Sequence, residues 1–574
     1  MKRAALLCPF VLAACASPAT ETPAACEALA RVVTEAGTVT SATLVRPPTK
    51  IGNVDVAAKF CRVQGVARPS SDSEIRFEVW LPETAQAWSG RFKLNGTGGY
   101  NGAVPYARLA QDIEDGWVTA GSNMGHDGNE SAAWTLNHPE KVKDWGLRSH
   151  YYVATAAKAL ANSYYGQPVR YAYFEGCSNG GRQGMMLAQR YPQLFDGIAT
   201  GAPSHFYPEI LMWLAWSGKL QTPVAGRPAV LPPAKQQLLD RASHAACDAQ
   251  DGLADGQITN PRTCRFTPDA LRCTGADGPG CLTDAQLAVA QGMYAGMRTS
   301  RGVLRYAGVQ PGSEALWDPA FADDHRYGPF IGHYVYSKTS PPYNWRRDLA
   351  WDEEFDHIKA FLTPVTAAPS PDLGAFKARG GKMIQFHGWS DPIVPPTGSI
   401  AYYNALIQFE RLKSRTQRQV DEAVDNLTPQ QVTADSLALG GSIAGYHRLF
   451  LLPEVGHCGG GTGPGAVGGG FPEPAKAQRT AQNHAVGALM RWVEQGVAPE
   501  AIVATKYNDA GTITRQRPIC AYPKVAVYNG SGDVDSAASF SCAMQTPQQT
   551  PTAPIDIHMI QNSLRQRAVL GPTR

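Results

Sequence analysis

Gly176-Cys177-Ser178-Asn179-Gly180 is the stretch that decides the fold of this 574-residue chain. It has the spacing G-x-S-x-G, in which a serine occupies a sharp turn between a strand and a helix. Residues 171–174, just before it, have strand character, and residues 180–191, just after it, have a helical pattern. A strand, a sharp turn and a helix in this order are typical of a doubly wound α/β layout.

The turn also suits Ser178 to be a nucleophile. Glycines on either side allow a tight turn without steric clash. The start of the following helix places positive dipole near the negative charge that develops in a reaction. A serine hydroxyl still needs a base to take its proton. The motif therefore predicts an α/β-hydrolase fold, with an acid and a base further along the chain in the order Ser, Asp, His.

Asp391 is the candidate acid and His457 the candidate base. Asp391 follows a predicted strand at 382–386, where a carboxylate can orient an imidazole through its Nδ1–H. The alternative for Asp391 is a turn-forming residue before proline at the surface. His457 lies on the loop after another predicted strand, at 448–452.

Two cysteines flank these candidates. Cys177 directly precedes Ser178, and Cys458 directly follows His457. Bridged cysteines have Cα atoms about 4.4–6.8 Å apart, so a Cys177–Cys458 bond would hold the serine and the histidine side by side. The alternative is that both cysteines are free and buried, and that their positions are a coincidence.

The N-terminus predicts export. Lys2 and Arg3 precede an apolar stretch at 4–14, which is shorter than the roughly 20 residues needed to span a bilayer. Leu-Ala-Ala before Cys15 is similar to a bacterial lipobox, which predicts a lipidated Cys15 followed by a tether at 16–25. The alternative is an ordinary cleavable signal. Either way we expect an exported protein, located in the bacterial periplasm, anchored to the outer membrane or secreted.

Export makes disulfides favourable. Without Cys8 and Cys15, ten of the twelve cysteines remain, an even number that suits five bridges, although sequence alone cannot fix the pairing. Short separations favour the pairs Cys247–Cys264, Cys273–Cys281 and Cys520–Cys542. A fourth pair, Cys26–Cys61, would tie down the start of the mature chain.

The composition changes between residues 204 and 371. This segment is rich in proline and glycine, lacks regular alternation of strands and helices, and predicts an inserted lid domain within a hydrolase domain formed by 26–203 and 372–545. We expect residues 546–574 to be disordered. The aromatic residues of the segment, each of which alone is more simply a core residue, include Trp213, Trp216, Trp317, Tyr334, Tyr336, Tyr343 and Trp345.

Charge excludes one class of function. The chain has 52 Lys and Arg against 49 Asp and Glu, a net charge of +3, with no basic run. Nucleic-acid binding is therefore not expected. No segment after the N-terminus is long and apolar enough to cross a membrane, so membrane contact is expected only through the N-terminal lipid.

Together the motifs G-C-S-N-G-G, H-G-x-S-D-P and G-H-C-G-G resemble the tannase and feruloyl esterase family, which includes the enzyme that hydrolyses mono(2-hydroxyethyl) terephthalate. The resemblance covers about residues 26–542. It implies that Ser178, Asp391 and His457 form the catalytic triad beside a Cys177–Cys458 bond. It also implies the other four pairings.

The oxyanion hole needs two backbone N–H groups. One is expected from Asn179, the residue after the nucleophile. The other should come from the glycine-rich loop at 95–102, where the resemblance points to Gly98 or Gly99, and we take Gly99. The alternative for this loop is a flexible glycine turn.

Three carboxylates lie within eight residues, at Asp248, Asp251 and Asp255. Oxygen ligands suit calcium, although the spacing is not that of an EF-hand, and the alternative is a solvated acidic turn. The resemblance implies a structural calcium held by these three side chains and by the carbonyls of Leu253 and Gln257.

The expected activity is hydrolysis of esters of aromatic acids, such as feruloyl or galloyl esters. Aromatic lid residues favour flat acyl groups, and the resemblance places Val394 in the substrate pocket. The arginine that binds the free carboxylate in the terephthalate enzyme has no clear counterpart, which disfavours that narrower activity. Two further hypotheses are an acyltransferase or peptidase on the same triad and a non-catalytic, calcium-stabilised binding protein. We expect a monomer whose partner is a small aromatic ester.

Overall fold

The computed structural model describes residues 26–128, 131–224, 227–318, 327–337, 343–471, 474, 479–544 and 556–566. The predicted signal, lipidated Cys15 and tether lie outside these residues. None of the described helices is long and apolar enough to cross a membrane.

Strands and helices alternate along much of the chain. The strands are β1 Val33–Thr34, β2 Gly37–Val45, β3 Thr49–Ile51, β4 Val54–Val56, β5 Phe60–Ala67, β6 Ile75–Pro82, β7 Arg91–Asn95, β8 Val118–Ser122, β9 Tyr171–Cys177, β10 Gly197–Gly201, β11 Met297–Arg298, β12 Leu304–Tyr306, β13 Lys382–Gly388, β14 His447–Leu452, β15 Ala501–Tyr507, β16 Ile513–Cys520, β17 Val525–Tyr528 and β18 Phe540–Ala543. The α-helices are α1 Tyr106–Glu114, α2 Pro139–Lys143, α3 Ser149–Tyr165, α4 Asn179–Arg190, α5 Tyr207–Gln221, α6 Pro233–Cys247, α7 Asp284–Ala295, α8 Tyr327–Phe330, α9 Trp345–Asp348, α10 Trp351–Thr366, α11 Gly374–Ala378, α12 Thr397–Leu412, α13 Gln417–Asp425, α14 Pro429–Ala444, α15 Ala485–Gln495 and α16 Ile557–Arg565.

One large sheet organises the molecule. Its strand order is β1-β2-β5-β6-β8-β7-β9-β10-β13-β14. The pairs from β8 to β14 are parallel, whereas those from β1 to β8 through β6 are antiparallel. This mixed sheet with helices confirms the predicted α/β class. Because the carboxyl ends of parallel strands meet at one edge, the loops after β9, β13 and β14 emerge together.

The parallel strands are buried on both faces. Along β10, Ile198 packs in the same core as Met185 of α4, while the next residue, Ala199, packs in the core that contains Leu489 of α15. Successive side chains of a strand point to opposite faces, so α4 and α15 cover opposite sides of the sheet. Parallel strands buried on both faces are therefore largely apolar rather than alternating.

The predicted lid, residues 204–371, lies within the segment between β10 and β13, and its role as a lid stays a prediction. Its described residues form helices and the β11–β12 hairpin and contribute no strand to the large sheet. It contacts the loop after β13 at two points: Trp213 Nε1 donates to the carbonyl of Pro392 at 3.1 Å, and Ser390 Oγ donates to the carbonyl of Gly312 at 2.7 Å.

The C-terminal prediction is wrong in part. Residues 557–565 form α16, whose Met559, Ile560 and Leu564 are buried against α12. Asp556 caps the start of the helix, because its side chain accepts the N–H of Met559 at 3.0 Å. The rest of the predicted tail lies outside the described residues. A short amphipathic helix next to a Gln- and Pro-rich stretch gave too weak a periodic signal to be recognised.

All five predicted disulfides are present. They are Cys26–Cys61, Cys177–Cys458, Cys247–Cys264, Cys273–Cys281 and Cys520–Cys542. Together they are consistent with an exported protein.

Candidate active site

Ser178 occupies the turn between β9 and α4. Its φ is +63° and its ψ is −122°, a conformation that non-glycine residues seldom adopt. Its N–H donates to the carbonyl of Gly201 on the neighbouring strand at 2.9 Å. A Cβ on Gly176 would lie 2.7 Å from the carbonyl of Gly180, so the turn closes only with glycine there. Local packing thus presents the serine at the edge of the sheet.

Ser178, His457 and Asp391 form one hydrogen-bonded chain. His457 Nδ1 lies 2.6 Å from Asp391 Oδ2, and His457 Nε2 lies 2.8 Å from Ser178 Oγ. An ionised carboxylate only accepts hydrogen bonds, so Nδ1 carries the proton and Nε2 is left to accept the serine hydroxyl. The structure therefore brings the three predicted residues together in the arrangement that a Ser-His-Asp triad requires.

The predicted disulfide lies directly beside this chain. Cys177 and Cys458 are bonded, with Cα atoms 6.0 Å apart, although they are 281 positions apart in sequence. The bond joins the turn that carries Ser178 to the loop that carries His457. Adjacent residues are thereby held at hydrogen-bonding distance.

Asp391 is fully buried and remains ionised. Its Oδ1 accepts the N–H groups of Ile393 at 2.8 Å and Val394 at 2.9 Å. Burial alone would raise the pKa of Asp391, but His457 and His387 outweigh it and hold the pKa well below its usual range. The carboxylate can thus stabilise the imidazolium that forms when His457 takes a proton.

Val394, the predicted substrate-binding residue, lies in the turn after Asp391. Its backbone N–H binds Asp391, and its carbonyl accepts from His387 Nε2 at 2.8 Å. Its side chain is buried, and among the described residues it is not one of those that line the cavity beside Ser178. A role in substrate binding stays a prediction.

The candidate oxyanion donors lie on two elements. Asn179 is the first residue of α4, and Gly99, with φ +52°, lies on the loop after β7. In that loop the N–H of Gly96 donates to the carbonyl of Glu175 at 2.8 Å, and the N–H of Thr97 donates to Gln183 Oε1 at 3.1 Å. The N–H groups of Gly96 and Thr97 are therefore used within the fold.

Gly98 and Gly99, the two glycines to which the sequence pointed, both border the cavity. A Cβ built on either would meet no atom within 4 Å, so both border open space. The sequence alone did not reveal what fixes this loop. Gln183, which holds Thr97, also pairs with His150 Nε2 at 2.7 Å, and both side chains are buried.

A cavity of about 490 Å³ opens beside Ser178 and His457. One wall contains Glu175 and Arg108, whose charged groups lie 3.9 Å apart. Behind that wall, the buried Lys93 pairs with Glu175 at 2.8 Å and with Asp112 at 2.6 Å. Burial would lower the pKa of Lys93, but the two carboxylates outweigh it and raise the pKa. Sequence reasoning missed this charged cluster, although a glutamate inside an apolar strand was a signal.

Aromatic residues from the lid and the hydrolase domain meet next to the oxyanion loop. Tyr100, beside Gly99, stacks on Phe330 of α8 with ring centroids 5.4 Å apart. Its hydroxyl accepts from the Tyr207 hydroxyl of α5 at 2.7 Å. Trp145 packs against all three rings. Of the predicted lid aromatics, Trp213, Trp317 and Trp345 are buried.

The predicted calcium loop follows α6. The carboxylate of Asp248 accepts the N–H groups of Asp255, Gly256 and Gln257 at 3.0–3.2 Å, and Asp255 pairs with Arg517 at 2.5 Å.

Asp251 is half-buried, and its pKa is raised to about 6, mainly by burial. The oxygen-only donor set and this half-buried carboxylate suit a hard cation. Among the described residues, however, the carboxylate oxygens of Asp248, Asp251 and Asp255 do not all lie within 4.8 Å of one another. Cys273, Asp277 and Cys281 do meet this spacing, but their two sulfur atoms are bonded to each other. Calcium stays a prediction.

Comparisons with known proteins show the family of the chain. The family model described as tannase and feruloyl esterase matches residues 61–543. The chain is 36% identical over 512 residues to an uncharacterized esterase of Xanthomonas campestris, and the match covers 85% of both chains. It is 29% identical to feruloyl esterase B of Aspergillus niger, and that match covers 85% of this chain and 88% of that protein.

A solved structure is similar over nearly its whole length. Feruloyl esterase B from Aspergillus oryzae superposes with a TM-score of 0.77 at 27% identity, covering 90% of this chain and 99% of that one. Since the family model spans most of the described chain, the protein belongs to the tannase and feruloyl esterase family and is a carboxylic ester hydrolase.

Proposed function

We propose that this protein is a serine esterase that hydrolyses esters of aromatic acids, such as feruloyl or galloyl esters, through an acyl-enzyme. The observation that carries the proposal is the hydrogen-bonded chain from Asp391 through His457 to Ser178. Its serine end borders a cavity large enough for a small ester.

In the first half of the reaction Ser178 attacks the ester carbonyl carbon. His457 Nε2 takes the hydroxyl proton, and Asp391 stabilises the resulting imidazolium. The N–H groups of Asn179 and Gly99 stabilise the negative oxygen of the tetrahedral intermediate. His457 then gives its proton to the alcohol oxygen as the carbon–oxygen bond breaks, which leaves the acyl group on Ser178.

In the second half water replaces the alcohol. His457 takes a proton from the water, whose oxygen attacks the acyl carbon. The second tetrahedral intermediate collapses, Ser178 recovers its proton from His457, and the free acid leaves. His457 thus carries every proton transfer in both halves.

Two observations favour an aromatic acyl group. Tyr100, Trp145, Tyr207 and Phe330 form a cluster next to the candidate oxyanion loop, and aromatic rings favour flat partners. The relatives named above include proteins called feruloyl esterases.

The decisive experiment measures hydrolysis of methyl ferulate, methyl gallate, chlorogenate and mono(2-hydroxyethyl) terephthalate. We expect Ser178→Ala to lose roughly 10⁴-fold or more of kcat. Ser442→Ala, an exposed serine on α14, is the control. Full activity in Ser178→Ala would refute the proposal, and a preference for the terephthalate ester would support the narrower activity.

Labelling separates catalysis from mere binding. An active-site phosphonate should modify the peptide that contains Ser178, and a competing alcohol should reveal any acyl transfer by its ester product. A protein that binds the esters but does not react with the phosphonate would be a binding protein.

We also infer a structural calcium in the loop 248–257 and an exported, monomeric protein. The oxygen donors of Asp248, Asp251 and Asp255 support the first inference, and the five disulfides support export. Mass spectrometry of the mature N-terminus would distinguish a lipidated Cys15 from a cleaved signal. Light scattering would test the oligomeric state.

A further inference from the structure

A second histidine contacts the carboxylate of Asp391. His387, near the end of β13, is fully buried. Its Nε2 lies 3.1 Å from Asp391 Oδ2 and 2.8 Å from the carbonyl of Val394, while its Nδ1 lies 2.7 Å from Ser399 Oγ on α12. Every polar atom of the ring therefore has a partner.

These partners fix which ring nitrogen carries the proton. The carboxylate of Asp391 and the carbonyl of Val394 can only accept, so Nε2 must donate to them. Nδ1 is then free to accept the hydroxyl hydrogen of Ser399. Because the ring is enclosed and satisfied at both ends, its orientation and its tautomer are set by the fold.

The contact completes the hydrogen bonds around Asp391. Oδ1 accepts two backbone N–H groups, and Oδ2 accepts from both His457 and His387. Among the described residues no other side chain donates to this carboxylate. Without His387, the fixed donors would all lie on Oδ1, and Oδ2 would be held only by the histidine that it has to orient.

His387 also spans the turn that presents the acid. It lies four residues before Asp391 on the strand side and bonds to Val394 three residues after it. The ring thus fastens both sides of the turn to α12 through Ser399. A residue in that position controls where Oδ2 lies relative to Nδ1 of His457.

We propose that His387 is a positioning residue for the catalytic acid, whose Nε2–H holds Oδ2 of Asp391 in line with Nδ1 of His457. This inference rests on the proposed function of the triad. His387 does not touch the cavity, so it acts on the reaction only through Asp391.

Two substitutions test whether the Nε2–H donor of His387 or only the volume of its ring matters for catalysis. In His387→Gln the amide nitrogen reaches about as far as Nε2 and keeps the donor, whereas His387→Asn offers an amide only to Ser399. We expect His387→Asn to lower kcat about 100-fold with a smaller change in KM, because a misplacement of about 1 Å in the catalytic geometry costs about that factor. His387→Gln should recover most of the loss.

His447 provides a matched control. It is equally buried on the adjacent strand β14 and bonds to Gln385 Oε1 at 2.9 Å, not to Asp391. His447→Asn should lower the melting temperature without lowering kcat. If folded His387→Asn keeps the native kcat, or if His387→Gln and His387→Asn lose kcat equally, the proposal is overturned.

A measurement on the native protein needs no variant. The nitrogen NMR shifts of His387 should show a protonated Nε2, and a protonated Nδ1 with a bare Nε2 would overturn the proposal even if the variants fail to fold. The variant Ser178→Ala distinguishes a failure of the proposed function from a failure of the positioning role. Activity that survives in Ser178→Ala would remove the triad itself, whereas an inactive Ser178→Ala beside a fully active His387→Asn would remove only the positioning role.

Discussion

Breaking the Cys177–Cys458 bond should cost both stability and catalytic rate. The bond closes a loop of 281 residues. In the chain-entropy model a loop of that length restricts the unfolded state by roughly 5.5 kcal/mol at 25 °C. The same bond holds the Ser178 turn against the His457 loop, so its loss should also loosen the distance between the serine hydroxyl and Nε2.

The chain contains a matched control for this experiment. The Cys520–Cys542 bond closes only 22 residues, for which the same model gives about 3.4 kcal/mol, and it ties down the hairpin β17–β18 away from the triad. The variants to compare are Cys177→Ser/Cys458→Ser and Cys520→Ser/Cys542→Ser. We expect the first to unfold at lower urea concentration, with a free energy of unfolding about 2 kcal/mol below that of the second.

Measuring kcat on the folded variants separates a change in the geometry of the triad from a loss of stability. In the folded protein, Cys177→Ser/Cys458→Ser should lower kcat on methyl ferulate by about 100-fold, since a misplacement of about 1 Å is enough for that loss. Cys520→Ser/Cys542→Ser should keep the native kcat. A folded Cys177→Ser/Cys458→Ser variant with unchanged kcat would show that the bond does not position the triad, and the reasoning would fail.

Three further predictions concern stability. Burial lowers the pKa of four histidines to about 3 or 4, below the roughly 6.5 of an unfolded histidine, and these are His126, His150, His205 and His447. As the pH falls below about 6.5, the unfolded chain therefore binds more protons than the folded chain. Each of these histidines should then lower the free energy of unfolding by up to about 1.4 kcal/mol per pH unit. Equal urea midpoints at about pH 7 and about pH 5 would contradict this prediction. Lys93→Met removes the cation that pairs with the buried Asp112 and leaves Glu175 with only the more distant Arg108. It should cost about 3–5 kcal/mol in urea unfolding, and a loss below about 1 kcal/mol would contradict the prediction. Chelation with EDTA should lower the melting temperature of the native protein but have little effect on Asp251→Asn, and equal shifts in both would count against a calcium ion at this loop.

The sequence predicted the triad because its members carry local signals. Ser178 has glycines at fixed offsets between a strand and a helix, and Asp391 and His457 each follow an apolar strand. Their order along the chain, Ser, Asp and His, is the order of the α/β-hydrolase triad. Cys177 and Cys458 added a distance constraint that few sequences offer.

What the sequence could not predict are contacts between distant side chains. Lys93, Asp112 and Glu175 lie on separate elements, and nothing in the local pattern of any of them names its partners. His387 stood inside a recognised motif, but only the packing of β13 against α12 shows that its ring faces Asp391. The helix α16 was missed because its apolar face spans barely two turns.

The point at which the lid enters the sheet has a consequence for how such enzymes diversify. β10 and β13 are parallel neighbours in register from Gly197 opposite Lys382. Such neighbours always require a connection that returns the chain to the opposite edge, and about a dozen residues suffice for it. The lid is therefore an enlargement of a link that the topology demands in any case. The length of this connection can therefore change while β10 and β13 keep their pairing, and with it the edge of the sheet from which the Ser178 turn and the Asp391 loop emerge.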